Sequence, residues 1–364
     1  MRKILLEVNH PGQVHLFKHI YAELVKRENQ VIVITKENPS IEYLLKNYDI
    51  PYTIVGKKKD GLIQKAILQL THNLTALKIV LTNKIEIGIG SSITNDHISF
   101  LTKMKSIHFS DDDEKEVPLI TKYSYPFSDS IVAPDSLIFK KFPDKIMSYA
   151  GTHELAYLHP KRFTPDVKVI NKIGLRKGEA FFVLRFVALK GHHDLGHKGI
   201  SLVQKRQLIS YLKSYGRIFI TSEKPIEEEF EEYRLPIPPE NMHSLLYYAK
   251  MFIGDSQTMT SEAAILGTPA LKCNTFAGKL SVPNELEEKY NLCYAYLPEN
   301  FNQLLEKVEE LLKKNNLTKL WEEKVNKFIE DKIDVTAFMV WFIENYPESN
   351  RIVKKDPNYQ YNFK

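Results

Sequence analysis

The first fifty-five residues alternate between short apolar runs and helical patterns. Lys3 to Val8 (KILLEV) reads as a buried strand. Val14 to Arg27 carries Leu16, Phe17, Ile20, Leu24 and Val25 at helical spacing, which predicts one apolar face. Gln30 to Thr35 is the next strand, Pro39 to Tyr48 the next helix and Tyr52 to Val55 the third strand. This opening predicts a doubly wound parallel sheet. The alternation continues with strands at Ile85 to Ile89, Ile107 to Ser110 and Ser130 to Ala133, the last of the first half. It resumes with strands Ala180 to Phe186, Gly216 to Thr221, Met251 to Ile253 and Ala270-Leu271. Helices are predicted over Phe301 to Asn315, Thr318 to Ile329 and Val335 to Tyr346, followed by a polar, loosely held tail from Pro347. No internal repeat or low-complexity segment interrupts the pattern.

Ligands of such sheets sit at the carboxyl ends of the strands, so candidate chemistry is sought there. The loop Asn9 to Gln13, with Gly12, leads to His15, a candidate base; His10 is a weaker one, and a capping or packing role competes for both. Lys57-Lys58-Lys59 precedes the helical stretch Gly61 to Leu81, which reads either as a solvated loop with a core helix or as a basic, apolar surface for anionic lipid. Glu154 beside His153 is a candidate acid/base pair, against the alternative of a hinge helix. Arg185 ends its strand, and the turn after it holds Lys190 and His192; Arg185 or Lys190 could neutralise a diphosphate. His192, His193, Asp194 and His197 invite a metal reading, but adjacent histidines diverge, so contacts to substrate or phosphate are preferred and no metal is expected.

Met251 to Leu271 (MFIGDSQTMTSEAAILGTPAL) reads as strand, polar turn, helix and strand. Ser256 or Thr258 can cap the helix, and Gly267 with Pro269 ends it. A helix N-terminus at the carboxyl end of a parallel strand binds anions. Ser256, Gln257 and Thr258 are therefore placed on phosphate. Glu262, one turn deeper, is placed on a ribose diol, and Asn274 in the following loop near the sugar.

This stretch resembles the nucleotide-binding motif of UDP-GlcNAc 2-epimerases, in which D-S-G-G precedes a helix with E-E-A and then G-x-P. Asp255-Ser256, Glu262-Ala263, Gly267 and Pro269 fall at matching spacings, with Gln257-Thr258 in place of the two glycines. Over most of its length, to about Ile329, the chain resembles a domain-of-unknown-function family of archaea and bacteria grouped with GT-B proteins. The residues that carry this are Asn9 to Lys18, Gly151 to Pro160, Val183 to Gly196 and the stretch above. The resemblance implies an α/β GT-B fold, with two Rossmann-like doubly wound domains facing a central cleft. By position it also makes His108 with Asp111 or Asp112 candidates to deliver an acid to the sugar, although an acidic solvated loop or a helix cap competes and no spacing fixes a divalent cation there.

Composition narrows the setting. A chain of 364 residues suits two domains. Fifty basic against 45 acidic residues is too even a balance to argue for nucleic acid. Two cysteines, Cys273 and Cys293, fit buried thiols in a reducing cytosol, and the apolar run at the start is too short for a signal peptide. The expected organisation is residues 1–160 as the acceptor or catalytic domain, 161–334 as the nucleotide-sugar domain, and 335–364 as a terminal helix and tail crossing back to the first. The expected activity is transfer from a nucleotide-sugar, a UDP-sugar first, in surface polysaccharide or glycoconjugate synthesis, with no other cofactor. The acceptor is a glycan, lipid-linked if the chain also touches the inner membrane face. Sugar-nucleotide 2-epimerisation and non-catalytic nucleotide-sugar binding are the alternatives.

Overall fold

A computed structural model describes residues 1–57, 62–176, 178–187, 198–222 and 225–364. The chain forms two compact units, Met1–Arg162 with Lys332–Lys364, and Phe163–Asp331.

In the first unit, strands β1 (Lys3–Val8), β2 (Gln30–Lys36), β3 (Tyr52–Gly56), β4 (Ile87–Gly90), β5 (Lys105–Phe109), β6 (Ser130–Pro134) and β7 (Ile146–Tyr149) form one sheet in the order β3-β2-β1-β4-β5-β6-β7. Every pairing is parallel. The order reverses between β1 and β4, so the switch point of the sheet lies at their carboxyl ends. Strand β7 was not anticipated: it has four residues, and only Met147 and Tyr149 are buried, an alternation too brief to read.

The helices of this unit are α1 (Pro11–Lys26), α2 (Pro39–Asn47), α3 (Leu62–Asn83), α4 (Ile93–Leu101), α5 (Pro118–Tyr123) and α6 (Leu155–Leu158). Helix α1 starts three residues before the apolar pattern does. Pro11 takes its first position, and the His10 ring accepts the Gly12 N–H at 3.1 Å. Gly12 and Gln13 therefore belong to the first helical turn, not to a loop. The buried face of α1 holds Leu16, Phe17, Ile20 and Leu24, while Val25 points outward. On the sheet, Leu5, Ile34 and Val55 pack with Ala76 and Val80 of α3 and Ile98 of α4.

The tail is not loose. Helices Val335–Glu344 and Glu348–Lys355 and a final 3-10 turn, Pro357–Phe363, belong to this unit. Trp341 stacks on Tyr359 at 4.8 Å, the Phe363 carbonyl accepts the Asp334 N–H at 2.8 Å, and Gln360 accepts the Ala150 N–H at 2.5 Å. Tyr359 and Phe363, half-buried against Trp341, anchor this polar segment.

In the second unit, β8 (Phe181–Phe186), β9 (Arg217–Ser222), β10 (Met251–Gly254), β11 (Ala270–Cys273) and β12 (Cys293–Tyr296) pair in parallel in the order β12-β11-β10-β8-β9. Strand β12, four residues long, was also missed. The helices that position the site are α7 (Lys168–Lys172), α8 (Leu202–Leu212), α9 (Met242–Tyr248) and α10 (Gln257–Ile265). Helix α10 follows the central strand β10 directly, and its residues from Met259 to Ile265 are all buried.

Candidate functional site

The second unit exposes the start of α10 at the carboxyl edge of its sheet. Ser256 is the N-cap: its hydroxyl accepts the Met259 N–H at 3.4 Å, and its carbonyl accepts the Thr260 hydroxyl at 2.6 Å. Gln257 and Thr258 are thus in the first helical turn, one step deeper than the turn expected for them. Ser256 and Gln257 are half-buried and Thr258 is exposed, so this end of the helix is open.

Strand register sets what lies beneath it. Arg185 of β8, Gly254 of β10 and Lys272 of β11 are at one level across three adjacent strands. Residues in register on parallel strands project to one face, so two cations flank a position with no side chain. The glycine is required: a Cβ there would lie 2.4 Å from the Arg185 carbonyl oxygen. Arg185 donates to the Thr221 hydroxyl at 2.9 Å. Lys272 is only 1% exposed, and its Nζ reaches the Gln257 amide oxygen at 2.5 Å, its one hydrogen-bond partner among the described residues. Burial pushes Lys272 down to about 8, partly offset by the Glu287 carboxylate. A buried ammonium answered by a neutral amide is costly unless an anion joins it.

The remaining expected contacts are mostly braces. Asn274 is fully buried: its amide donates to the Asp255 carbonyl at 2.8 Å and its oxygen accepts the Phe276 N–H at 3.0 Å. It therefore fixes the β10–α10 turn from below. Asp255 is buried and accepts the Val187 N–H at 2.7 Å. Burial pushes it up to about 6, against the lowering effect of the Val187 and Ile200 backbone bonds. Gly199 makes room for it, since a Cβ there would lie 2.2 Å from the carboxylate. Glu262 is 5% exposed, and its carboxylate meets His243 Nε2 of α9 at 3.0 Å. Lys190 and His192, with His193, Asp194 and His197, lie outside the described residues. Cys273 and Cys293 are free thiols, each pushed up to about 12 by burial, which keeps them protonated.

The first unit gathers different chemistry at its own carboxyl edge. His108 of β5 meets Asp96 of α4 through Nδ1 at 2.8 Å, and the Ser124 hydroxyl donates to the same carboxylate oxygen. All three are buried. A carboxylate on Nδ1 fixes the tautomer and leaves Nε2 as the acceptor. Glu7, at the end of β1, donates nothing and accepts from Asn9 at 2.7 Å. One oxygen each of Glu7, Asn9, Asn95 and Asp96 is buried without a hydrogen-bond partner among the described residues. All four are acceptors, so this edge calls for donors.

The acidic loop after β5 is exposed at Asp111 and Asp112. Surrounding protein, then the neighbouring carboxylates Asp111, Asp113 and Glu116, push Asp112 up to about 7, although its side chain keeps solvent contact. Asp111 and Glu154 both act on the buried phenol of Tyr149, whose pKa burial pushes well up. Tyr149 in turn meets His153 Nδ1 at 3.1 Å. His153 is held down by burial, and Asp111 opposes this. Tyr149 and His153 thus form one buried hydrogen-bonded pair that feels the charge of Asp111. His15 is buried, with Nδ1 at 3.3 Å from the Tyr48 hydroxyl and its ring 5.7 Å from that of Tyr157.

Sequence reasoning missed Lys272, Glu7, Asp96 and His243. Two had a signal: Lys272 and Glu7 are charged residues next to last in largely apolar strands. Asp96 and His243 acquire meaning only through partners 12 and 19 residues away. Among the described residues, no group of three or more His, Cys, Asp or Glu could hold a metal ion, and no helix is long and apolar enough to cross a membrane.

Comparison with known proteins agrees with this architecture. The family described as "Protein of unknown function (DUF354)" matches residues 2–337, and the chain belongs to it. The uncharacterized protein MJ0665 of Methanocaldococcus jannaschii is 24% identical over 284 residues, covering 74% of this chain and 81% of that protein. Among solved structures, the S. aureus MnaA–UDP co-structure aligns with a TM-score of 0.67 at 11% identity, over 96% of this chain and 98% of that one. The M. jannaschii UDP-GlcNAc 2-epimerase in complex with UDP-GlcNAc and UDP gives 0.59 at 12%, over 90% and 99%. The glycotransferase of kitacinnamycin gives 0.58 at 11%, over 94% and 99%. At these identities the likeness is one of fold, and the fold is GT-B.

Proposed function

We propose that this member of the DUF354 family is a glycosyltransferase that takes a nucleotide-sugar, a UDP-sugar first, as donor. The observation that carries the reading is the buried, anion-deficient Lys272 beneath the open N-terminus of α10, level with Arg185. A diphosphate supplies the missing charge. Free N–H groups of α10 bind it directly, Gln257 relays Lys272, and Arg185 stabilises the charge that grows on the leaving group. Glu262, oriented by His243, accepts from the ribose hydroxyls. In the first unit, His108 is the base for the acceptor hydroxyl, ahead of His15, because Asp96 orients its ring. The acceptor oxygens left unmatched on Glu7, Asn9 and Asn95 fit a hydroxyl-rich acceptor such as a glycan.

One observation favours 2-epimerisation as the second reading. The buried Tyr149–His153 pair, with Glu154 next in the chain, is acid/base chemistry that a simple transfer does not need. The test is incubation of the protein with a panel of UDP-sugars, with and without hydroxylated acceptors. Transfer predicts acceptor-dependent UDP release that His108→Ala abolishes while UDP still binds. Interconversion of the UDP-sugar without an acceptor would replace transfer by epimerisation. Nucleotide binding with neither reaction would assign the chain a binding role.

A further inference from the structure

Helix α3 is apolar on two sides. Ala76 and Val80 face the core, as an amphipathic helix requires. A second stripe, Leu70, Leu74 and Leu81, recurs at helical spacing on another face, and Leu77, packed on the core, borders it. Leu70, Leu74 and Leu81 are 62%, 57% and 61% exposed. The end of α4 extends this stripe with Phe100 and Leu101, 72% and 67% exposed. These side chains line two adjoining grooves that meet at Leu101. Single exposed leucines are ordinary, but five contiguous large apolar side chains mark an interaction surface.

The charges around the patch indicate what covers it. Lys84 and Lys103 line the groove with Leu81 and Leu101, and Lys78 flanks the α3 stripe one residue after Leu77. None of the three has an ion-pair partner among the described residues. The nearby acids are already taken: Glu86 pairs with Arg2 at 3.2 Å, and Asp129 with Lys105 at 2.8 Å. An apolar face rimmed by unanswered lysines complements an anionic bilayer surface, which accepts leucine and phenylalanine at the headgroup boundary and attracts each lysine. A second copy of the chain fits poorly, because self-docking would bring the two lysine rims together.

We propose that the α3–α4 face of the first unit docks the protein on anionic membrane surfaces, with Leu74 and Phe100 inserted and Lys84 and Lys103 on the headgroups. This does not depend on the donor-site reading. The test is co-sedimentation of the full chain with vesicles of phosphatidylcholine alone and vesicles half phosphatidylglycerol. The anionic vesicles should bind about tenfold more tightly, and raised salt should weaken that binding. Leu74→Ser with Phe100→Ser, and separately Lys84→Glu with Lys103→Glu, should each reduce it by about tenfold while circular dichroism stays unchanged. These are exposed positions, and the lysine pair tests the face even if the apolar pair disturbs folding. No binding to anionic vesicles, or binding that neither pair reduces, would overturn the proposal. A dimer on gel filtration that Leu74→Ser with Phe100→Ser dissociates would overturn it too, and assign the face to a second copy.

Discussion

The two units present parallel sheets with the same kind of edge and fill them with opposite chemistry. At the carboxyl edge of the second unit, Arg185 and Lys272 flank Gly254 beneath a helix N-terminus, and the buried Lys272 ammonium, answered by a neutral amide, calls for an anion. At the edge of the first, Glu7, Asn9, Asn95 and Asp96 leave acceptor oxygens unmatched around an oriented histidine, so the interior calls for donors. A shared sheet architecture therefore says little about function. The division of labour is written in the residue next to last in each strand: lysine on β11, glutamate on β1.

The sharpest way to separate the two edges is to damage one and read the other. Asp96→Ala removes the partner of both His108 and Ser124 in a buried setting. It should cost the first unit about 3 kcal/mol in urea unfolding, for two buried hydrogen bonds lost, and leave UDP affinity unchanged. A loss below about 1 kcal/mol, or a matching fall in UDP affinity, would break the contrast. The reciprocal change, Lys272→Met, preserves packing and deletes the cation. UDP should bind about 100-fold more weakly by calorimetry. Because Lys272 is held down to about 8, wild-type affinity should also fall as pH rises through that value, and the methionine variant should show no such fall.

Asp255 gives a smaller effect with a definite sign. Its folded pKa, about 6, lies above the ordinary 3.8. The folded state therefore holds the proton more tightly, and stability is fullest below about pH 4 and lost as pH rises through 6. The second unit should lose about 2 kcal/mol over that window, and Asp255→Asn should flatten the profile. An unchanged slope in the variant would remove Asp255 as the cause. The smallest effect belongs to His243→Ala, which frees Glu262 to turn away; UDP affinity should fall about fivefold. No change would mean that Glu262 does not touch the ribose.

Much of this was legible in the chain. The β10–α10 turn could be placed because an apolar run, Gly254, a capping serine and Gly267 all speak through local rules. The same rules located β1 to within a residue. They failed on β7 and β12, which are only partly buried and so lack the continuous apolar run of β4 and β10, and on the tail, where Tyr359 and Phe363 pack on Trp341 within a polar composition. The sites were less legible than the fold. Asn274 is a good polar residue in the right loop, yet it faces inward as a brace. His108 was visible only as a positional candidate, because its partner Asp96 lies across a helix. Lys190 and His192 lie outside the described residues.

The central claim, that the second unit recognises a diphosphate through Lys272 and the start of α10, is tested most directly by calorimetric titration with UDP and with uridine, without magnesium. UDP is expected to bind in the micromolar range and uridine about 100-fold more weakly, since the anion supplies the charge the site lacks. Equal affinities for the two, or no binding of UDP, would contradict it.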